Sequence, residues 1–128
     1  SVTAQVTALS KTAGGGGMAY KTIDFTASVT EASSYMVNLT SADVDVDLPD
    51  TATVPDGTRF TFTIKYSSGT FTITLNVTGG GDVIIINDLS EPTSWSMQAG
   101  VLALTGSSVE IIKKEDGYWE VVREIRLT

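Results

Sequence analysis

The feature that most constrains the fold is a period-two alternation of apolar and polar residues. It is clearest in TRFTFTIKY, residues 58–66, and it resumes in TFTITLNVT, residues 70–78. Successive side chains of a β-strand point to opposite faces, so each run predicts a strand with one buried face. A short loop that contains Gly69 joins the two runs, and this arrangement predicts a β-hairpin.

A second hairpin is predicted around Asp116 and Gly117, because glycine tolerates the positive φ that tight hairpin turns require. Shorter apolar or alternating runs bring the total to about ten strands, at the spacing of roughly 8 to 12 residues that is typical of a sandwich or barrel. No window has the 3.6-residue apolar stripe of a helix. The sequence therefore predicts an all-β fold, either an antiparallel β-sandwich or a jelly-roll-like barrel.

The first 17 residues are interpreted as an extended arm and a hinge, followed by a single all-β domain over residues 18–128. In the arm, Val2 and Val6 share one face of an alternating stretch, and Leu9 lies on the other. Four consecutive glycines follow, which are Gly14, Gly15, Gly16 and Gly17. Because glycine loses the most conformational freedom on ordering, four in a row indicate that freedom is needed. We expect the arm to add as a strand to a neighbouring subunit or partner; the alternative is a terminus with no fixed structure.

The composition excludes several kinds of chemistry. The chain has no cysteine and no histidine, so disulfides, thiolate metal sites, the common zinc sites and the Ser-His-Asp triad are not available. Its net charge is −7 and its pI is about 4.3, which argues against nucleic acid as a partner. No apolar run approaches the ~20 residues of a membrane span, and no spacing singles out a pair of glycosidase carboxylates. We expect no membrane partner, no cofactor and no enzymatic activity.

The most conspicuous charged stretch is ADVDVDLPD, which places Asp43, Asp45 and Asp47 on one face of a predicted strand. The preferred interpretation is a solvated acidic edge that discourages wrong strand pairing. A metal site, for calcium in particular, is a less favoured alternative because a straight strand does not curl around an ion. Pairing with Lys or Arg of a neighbouring subunit is a third.

Two further stretches bear on contacts and on the core. The continuous apolar run VIIIN includes Ile84, Ile85 and Ile86, and it predicts a strand covered on both faces, inside the domain or at a subunit contact. Trp119 is expected in the core and its neighbour Tyr118 at the rim, because adjacent strand residues face opposite ways. The Trp and Tyr residues are also the candidates for a sugar-stacking platform.

Four short sequence motifs follow one another between residues 43 and 122. The motifs are Val46, Leu48 and Pro49; Gly57 and Thr58; Gly81, Asp82 and Ile84; and Asp116, Gly117, Trp119 and Val121. Together they resemble a β module common in bacteriophage virion proteins, in which a V-x-L-P strand end precedes an alternating Gly-Thr strand. A G-D-x-I step and a closing D-G-x-W-x-V hairpin complete that module.

The resemblance implies a non-enzymatic appendage of the virion, which is a tail fibre, a head fibre or a capsid decoration protein, commonly a homotrimer. A tail fibre chain normally carries several modules, and this chain has room for one domain. We therefore expect a capsid decoration (cement) protein, made in the host cytoplasm and located on the virion, with itself and the major capsid protein or another virion protein as partners. The competing interpretation is a glycan-binding, receptor-binding β domain.

Overall fold

Ten β-strands and one short 3₁₀ helix make up the regular structure of the described residues. These are residues 17–67, 69–86, 90–100 and 104–127 of a computed structural model. The strands are β1 (Met18–Lys21), β2 (Phe25–Thr26), β3 (Ser34–Asn38), β4 (Val44–Asp47), β5 (Arg59–Lys65), β6 (Thr72–Asn76), β7 (Val83–Ile85), β8 (Ser94–Gln98), β9 (Ser108–Glu115) and β10 (Tyr118–Ile125). The 3₁₀ helix spans Thr51–Thr53, between β4 and β5.

The strands form two sheets whose apolar faces enclose one core. One sheet has six strands in the order β1-β3-β5-β9-β10-β7, and the other has four in the order β2-β4-β6-β8. The prediction of an all-β sandwich with about ten strands is confirmed. The sheets are mixed, not antiparallel, since five of the eight strand pairings are parallel.

Along the chain the strands alternate between the two sheets from β1 to β8. Each of these connections therefore crosses from one sheet to the other. The strands β1, β3 and β5 of one sheet pair in parallel, and so do β2, β4 and β6 of the other. Met18 of β1 pairs with Ser34 of β3, and Ser34 pairs with Thr61 of β5. We call the strand pairs β1–β2, β3–β4 and β5–β6 the first, second and third coils. The first coil lies at one end of this stack.

The predicted hairpin between β5 and β6 is wrong. β5 pairs with β3 and β9, whereas β6 pairs with β4 and β8 in the other sheet. Phe60 and Phe62 of β5 are fully buried, and so are Ile73 and Leu75 of β6, on the opposite side of the core. Alternation indicates which face of a strand is buried but not which strand it pairs with, so one pattern fits both a hairpin and a crossing between sheets.

The hairpin predicted at Asp116 and Gly117 is confirmed. β9 and β10 pair antiparallel across these two residues, and Gly117 has a φ of 92°. Trp119 is fully buried, as predicted, and its ring centroid lies 6.0 Å from that of Phe60. The closing hairpin therefore supplies the largest fully buried side chain of the described residues.

Aromatic side chains link the two sheets at the first coil. Tyr35 of β3 stacks on Phe62 of β5 with ring centroids 5.5 Å apart, and Phe25 of β2 lies 4.8 Å from Tyr35. Rings at such separations attract each other beyond the effect of burial. These contacts attach β2, which is two residues long, to the six-stranded sheet.

A buried polar network connects three loops around the 3₁₀ helix. The Asp82 carboxylate is 4% exposed, and it accepts hydrogen bonds from Thr51 N at 3.0 Å and Thr51 Oγ1 at 2.8 Å. Thr51 Oγ1 in turn accepts from the backbone N–H of Gly117 at 2.8 Å. The stretch GGGD, residues 79–82, forms a turn before β7, and its buried Gly79 lies against the Asp82 carboxylate. The network holds the segment after β4, the turn before β7 and the hairpin together.

Lys113 of β9 is charged and nevertheless buried. Its Nζ donates to the backbone oxygen of Val54 at 2.7 Å and to Asp116 Oδ1 at 2.7 Å, and it lies 3.1 Å from Asp56 Oδ1. The hydrogen bond to Asp116 raises the pKa of Lys113 more than its desolvation lowers it. The ammonium group is thus fully used in joining β9 to the loop before β5.

Candidate interaction surface at the open end of the sheets

Both sheets end at the first coil with an edge strand. β1 is the last strand of the six-stranded sheet and β2 the last of the four-stranded sheet. Among the described residues, no strand pairs with the outer side of either. An edge strand presents N–H and C=O groups that can pair with another chain. We call this region, residues 17–29, the open end.

The open end also concentrates exposed apolar surface. Seven large hydrophobic side chains are exposed in the described part of the chain, and four of them lie here. They are Met18 (58% exposed), Tyr20 (52%), Ile23 (74%) and Val29 (37%). Met18 and Tyr20 lie on one face of the edge strand β1, whereas Ile23 and Val29 line two separate shallow depressions. Exposed apolar side chains at a strand edge favour contact with another molecule, and here both features fall in the same short stretch of the chain.

A short polar chain orders the first coil behind this surface. Lys21 Nζ donates to Glu31 Oε2 at 2.7 Å, and the Tyr35 hydroxyl donates to Glu31 Oε1 at 3.0 Å. The same hydroxyl accepts from the backbone N–H of Ser28 at 2.9 Å. The hydrogen bond from Lys21 lowers the pKa of Glu31, whereas burial raises the pKa of Tyr35 to about 12.

Tyr35→Phe is expected to reduce the loss of stability at alkaline pH. Because the raised pKa favours the neutral phenol in the folded state, this contribution is complete below about pH 10 and is lost as the pH rises further, through the folded-state pKa of about 12. Urea unfolding of the wild type and Y35F between about pH 8 and pH 11 should show a shallower decline in Y35F. Tyr20→Phe, at an exposed ring, is the matched control and should retain the wild-type slope. Equal slopes for all three proteins would contradict this reading of Tyr35.

Two aspartates occupy equivalent positions in successive coils of the four-stranded sheet. Asp24 directly precedes β2 and accepts from the backbone N–H of Asp45 at 2.8 Å. Asp43 directly precedes β4 and accepts from the backbone N–H of Thr72 at 2.8 Å. In both cases the donor is the residue opposite the aspartate on the next strand of the sheet. Asp43 therefore has a structural role that its acidic neighbours in sequence do not share.

Asp45 and Asp47 remain on the outer face of the four-stranded sheet, where both are exposed. Val44 and Val46 of the same strand are fully buried, so the predicted alternation is confirmed. With Asp24, the two aspartates line a shallow depression of about 380 Å³. Within the described ranges, no group of three or more His, Cys, Asp or Glu residues is placed to hold a metal ion.

Asp43→Ala is expected to lower the free energy of unfolding by about 1 kcal/mol, because the Thr72 N–H loses its charged acceptor. Asp45→Ala removes an equal charge from the next exposed position of the strand, and its carboxylate accepts no such bond. The control should therefore change stability by less than about 0.5 kcal/mol. Urea denaturation of both variants at one ionic strength measures the difference. Equal losses would mean that charge, and not the hydrogen bond, is what matters at Asp43.

The residues proposed for the arm and hinge fall mostly outside the described ranges. Those outside are Val2, Val6, Leu9, Gly14, Gly15 and Gly16. Gly17 is described, and it directly precedes β1 at the open end. In sequence, the proposed hinge therefore leads directly into the open end.

The first three residues of the VIIIN run form β7, Val83–Ile85, at the opposite end of the six-stranded sheet. Ile84 is fully buried in the core, and Ile85 and Ile86 are half-buried. On the outer side of β7, Ile84 N donates to the oxygen of Pro92 at 2.7 Å and Ile86 N donates to that of Ser90 at 3.2 Å. The chain itself thus covers much of this second edge, unlike the edge of β1.

Comparison with protein-family models gives no match to this chain, and comparison with curated proteins gives none either. In the part of the chain that the structure describes, no helix has the length and apolar character needed to cross a membrane. The fold and its open end are therefore the basis for assigning a function.

Proposed function

We propose that this protein is a non-enzymatic structural component of a bacteriophage virion, a capsid decoration (cement) protein that binds neighbouring capsid subunits as a homotrimer. The observation that carries the proposal is the open end. Two strand edges that no described strand covers occur there in the same stretch of chain as four exposed apolar side chains. A cement protein must bind subunits that are already assembled, so its contacts have to be exposed before it binds. Strand edges and apolar patches are such contacts.

The residues that carry the resemblance to the virion β module support a structural role. Asp82 is engaged by Thr51, which also accepts from Gly117. Trp119 and Leu48 are fully buried. These side chains hold the sandwich together, as expected of a scaffold that contacts its partners elsewhere.

Aromatic exposure favours protein contacts over sugar stacking. Trp95, Trp119 and Tyr35 are buried. Among the aromatic residues that the structure describes, Tyr20 alone is exposed. Its hydroxyl accepts from Asn38 Nδ2 at 3.2 Å. A glycan platform uses exposed ring faces, and a lone ring within an apolar strand edge is better suited to pairing with another chain.

The test is reconstitution on particles. Virions are prepared from the phage that encodes this chain after its gene has been disrupted, and they are incubated with the purified protein. Sedimentation followed by electron microscopy of gold-labelled protein should show stable uptake over the capsid surface. Variants Met18→Lys and Ile23→Lys, which place charge at the open end, should lower uptake, whereas Val122→Lys, at an exposed apolar residue of β10, should not.

Each alternative outcome has a meaning of its own. Label confined to the tail would replace the decoration role with that of a fibre module. Absence of uptake, together with binding of the wild-type protein to a glycan array that Tyr20→Ala abolishes, would replace it with receptor binding. Uptake unaffected by charge at the open end would remove the observation on which the proposal rests.

A further inference from the structure

We infer that residues Val2–Leu9 of one copy of the chain add as a strand to the free edge of β1 in a second copy. This inference rests on the proposed function for the association of copies. It deepens that function by assigning the β1 edge to the contact between copies, which leaves the β2 edge and the exposed Ile23 for the capsid. The acceptor edge is the outer side of Met18–Lys21, which no strand of the described residues covers.

The chemistry of the two partners is complementary. Strand addition gains affinity from main-chain hydrogen bonds and specificity from alternate side chains. The edge offers the main-chain groups of β1 together with the exposed side chains of Met18 and Tyr20 on one face. The segment SVTAQVTALS offers alternating small apolar residues, with Val2 and Val6 on one face. These valines can cover the two exposed side chains while the backbones pair.

The length of the spacer favours a second copy over the same chain. Residues 10–17 separate the segment from β1. A return within the chain would need roughly two to five residues for an antiparallel hairpin, or about a dozen for a parallel crossover. A spacer of eight residues is too long for that hairpin loop and too short for that crossover. Its four glycines would also lose conformational entropy on being ordered within one chain. Extended, the spacer spans up to about 26–29 Å, which is enough to reach a neighbouring domain.

Charge also favours the arm as the occupant. All 15 acidic residues of the chain lie in residues 18–128, so two such bodies repel each other. Residues 1–17 contain Lys11 and no acidic residue. The arm can therefore approach a second body, including its Asp24 and Glu31 beside the open end, without adding to that repulsion.

Because the chain lacks cysteine, single-cysteine variants can test the contact directly. The Val6→Cys variant is mixed with Met18→Cys, and in parallel with Val122→Cys, then treated with a short bismaleimide. Met18 and Val122 are both exposed, but three strands (β3, β5 and β9) separate β10 from β1 in the same sheet. With one cysteine per chain, any link between different positions must join two copies. Mass spectrometry of the digested products identifies which positions are linked.

We expect the V6C–M18C product to exceed the V6C–V122C product by about tenfold, because docking raises the local concentration of the arm at β1. The double variant V6C/M18C should give mainly linked dimers and larger species. Equal yields for the two acceptors would overturn the inference. A double variant linked only within single chains would also overturn it, because the arm would then cover its own β1.

A second readout separates this inference from the proposed function. Sedimentation equilibrium should give a mass of three times the 13.5 kDa chain for the wild type and for Val122→Lys. The mass should fall towards that of a single chain for Met18→Lys and for deletion of residues 1–13. If these variants remain associated but lose capsid uptake, the function stands and the acceptor is wrong. If they dissociate and still decorate capsids, the contact is real and trimerisation is not needed for decoration.

Discussion

Trp119→Ala is expected to lower the free energy of unfolding by about 3–5 kcal/mol, the range for removing a large aromatic side chain from a core. Trp119 is fully buried where the closing hairpin meets the ring of Phe60. Urea denaturation followed by far-UV circular dichroism measures the loss, since the substitution removes one of the two tryptophans.

Two controls assign this effect to packing. The Trp119 indole N–H has no hydrogen-bond partner among the described residues, so Trp119→Phe sacrifices only volume and should cost clearly less than W119A. Val122→Ala, at an exposed residue of the same strand, should stay within about 0.5 kcal/mol of the wild type. A W119A loss below about 1 kcal/mol would mean that the core closes around the gap or does not depend on the hairpin.

Asp82→Ala is expected to cost about 2–4 kcal/mol, because each buried donor left without an acceptor carries a penalty of roughly 1–3 kcal/mol. Two donors lose their partner here, the N–H and the hydroxyl of Thr51. Asp82→Asn keeps the shape and one acceptor oxygen, so it should lie between the wild type and D82A. Urea denaturation at neutral pH orders the three proteins. A neutral D82A would show that water replaces the carboxylate in this network.

An independent substitution tests the same network without touching a polar group. A Cβ on Gly79 would overlap the Asp82 carboxylate and lie 2.6 Å from Asp50 Oδ1, whereas a Cβ on Gly80 would meet no atom within 4 Å. Gly79→Ala should therefore destabilise the protein by about 1–3 kcal/mol through overpacking, and Gly80→Ala should not. Equal effects at the two adjacent glycines would indicate that backbone entropy, and not the buried carboxylate, limits this turn.

The sequence was sufficient for the strands and their buried faces, because both follow from local alternation. Phe60, Phe62 and Ile64 alternate in the chain and are all fully buried in the structure. The pairing of strands was not accessible in this way. After β5 the chain could form a hairpin, with β6 pairing to β5, or cross to the other sheet. The choice depends on the contacts of β5 with β3 and β9 and of β6 with β4 and β8, which lie outside this stretch of sequence.

The sequence predicted a contact near the open end but not the edge strands that form it. The alternation of the first residues and the glycine hinge pointed to a contact at the N-terminus, but nothing local showed that β1 and β2 would be edge strands. The roles of Asp24 and Lys113 were missed for the same reason. Their partners, Asp45 N for the first and the oxygen of Val54 for the second, are distant in sequence. The local sequence around an aspartate or a lysine carries no signal of such a bond.

The alternation of strands between the sheets also determines how the chain can fold. Within the described ranges, β9 and β10 are the one pair of hydrogen-bonded strands that follow each other in sequence. Every other pairing joins distant segments, such as Ser34 with Thr61 and Arg59 with Ile112. Loop closure must precede these contacts, so folding over milliseconds to seconds is expected. Because β5 pairs with β9, and β10 lies between β9 and β7, the six-stranded sheet cannot be completed until β9 and β10 have been synthesised.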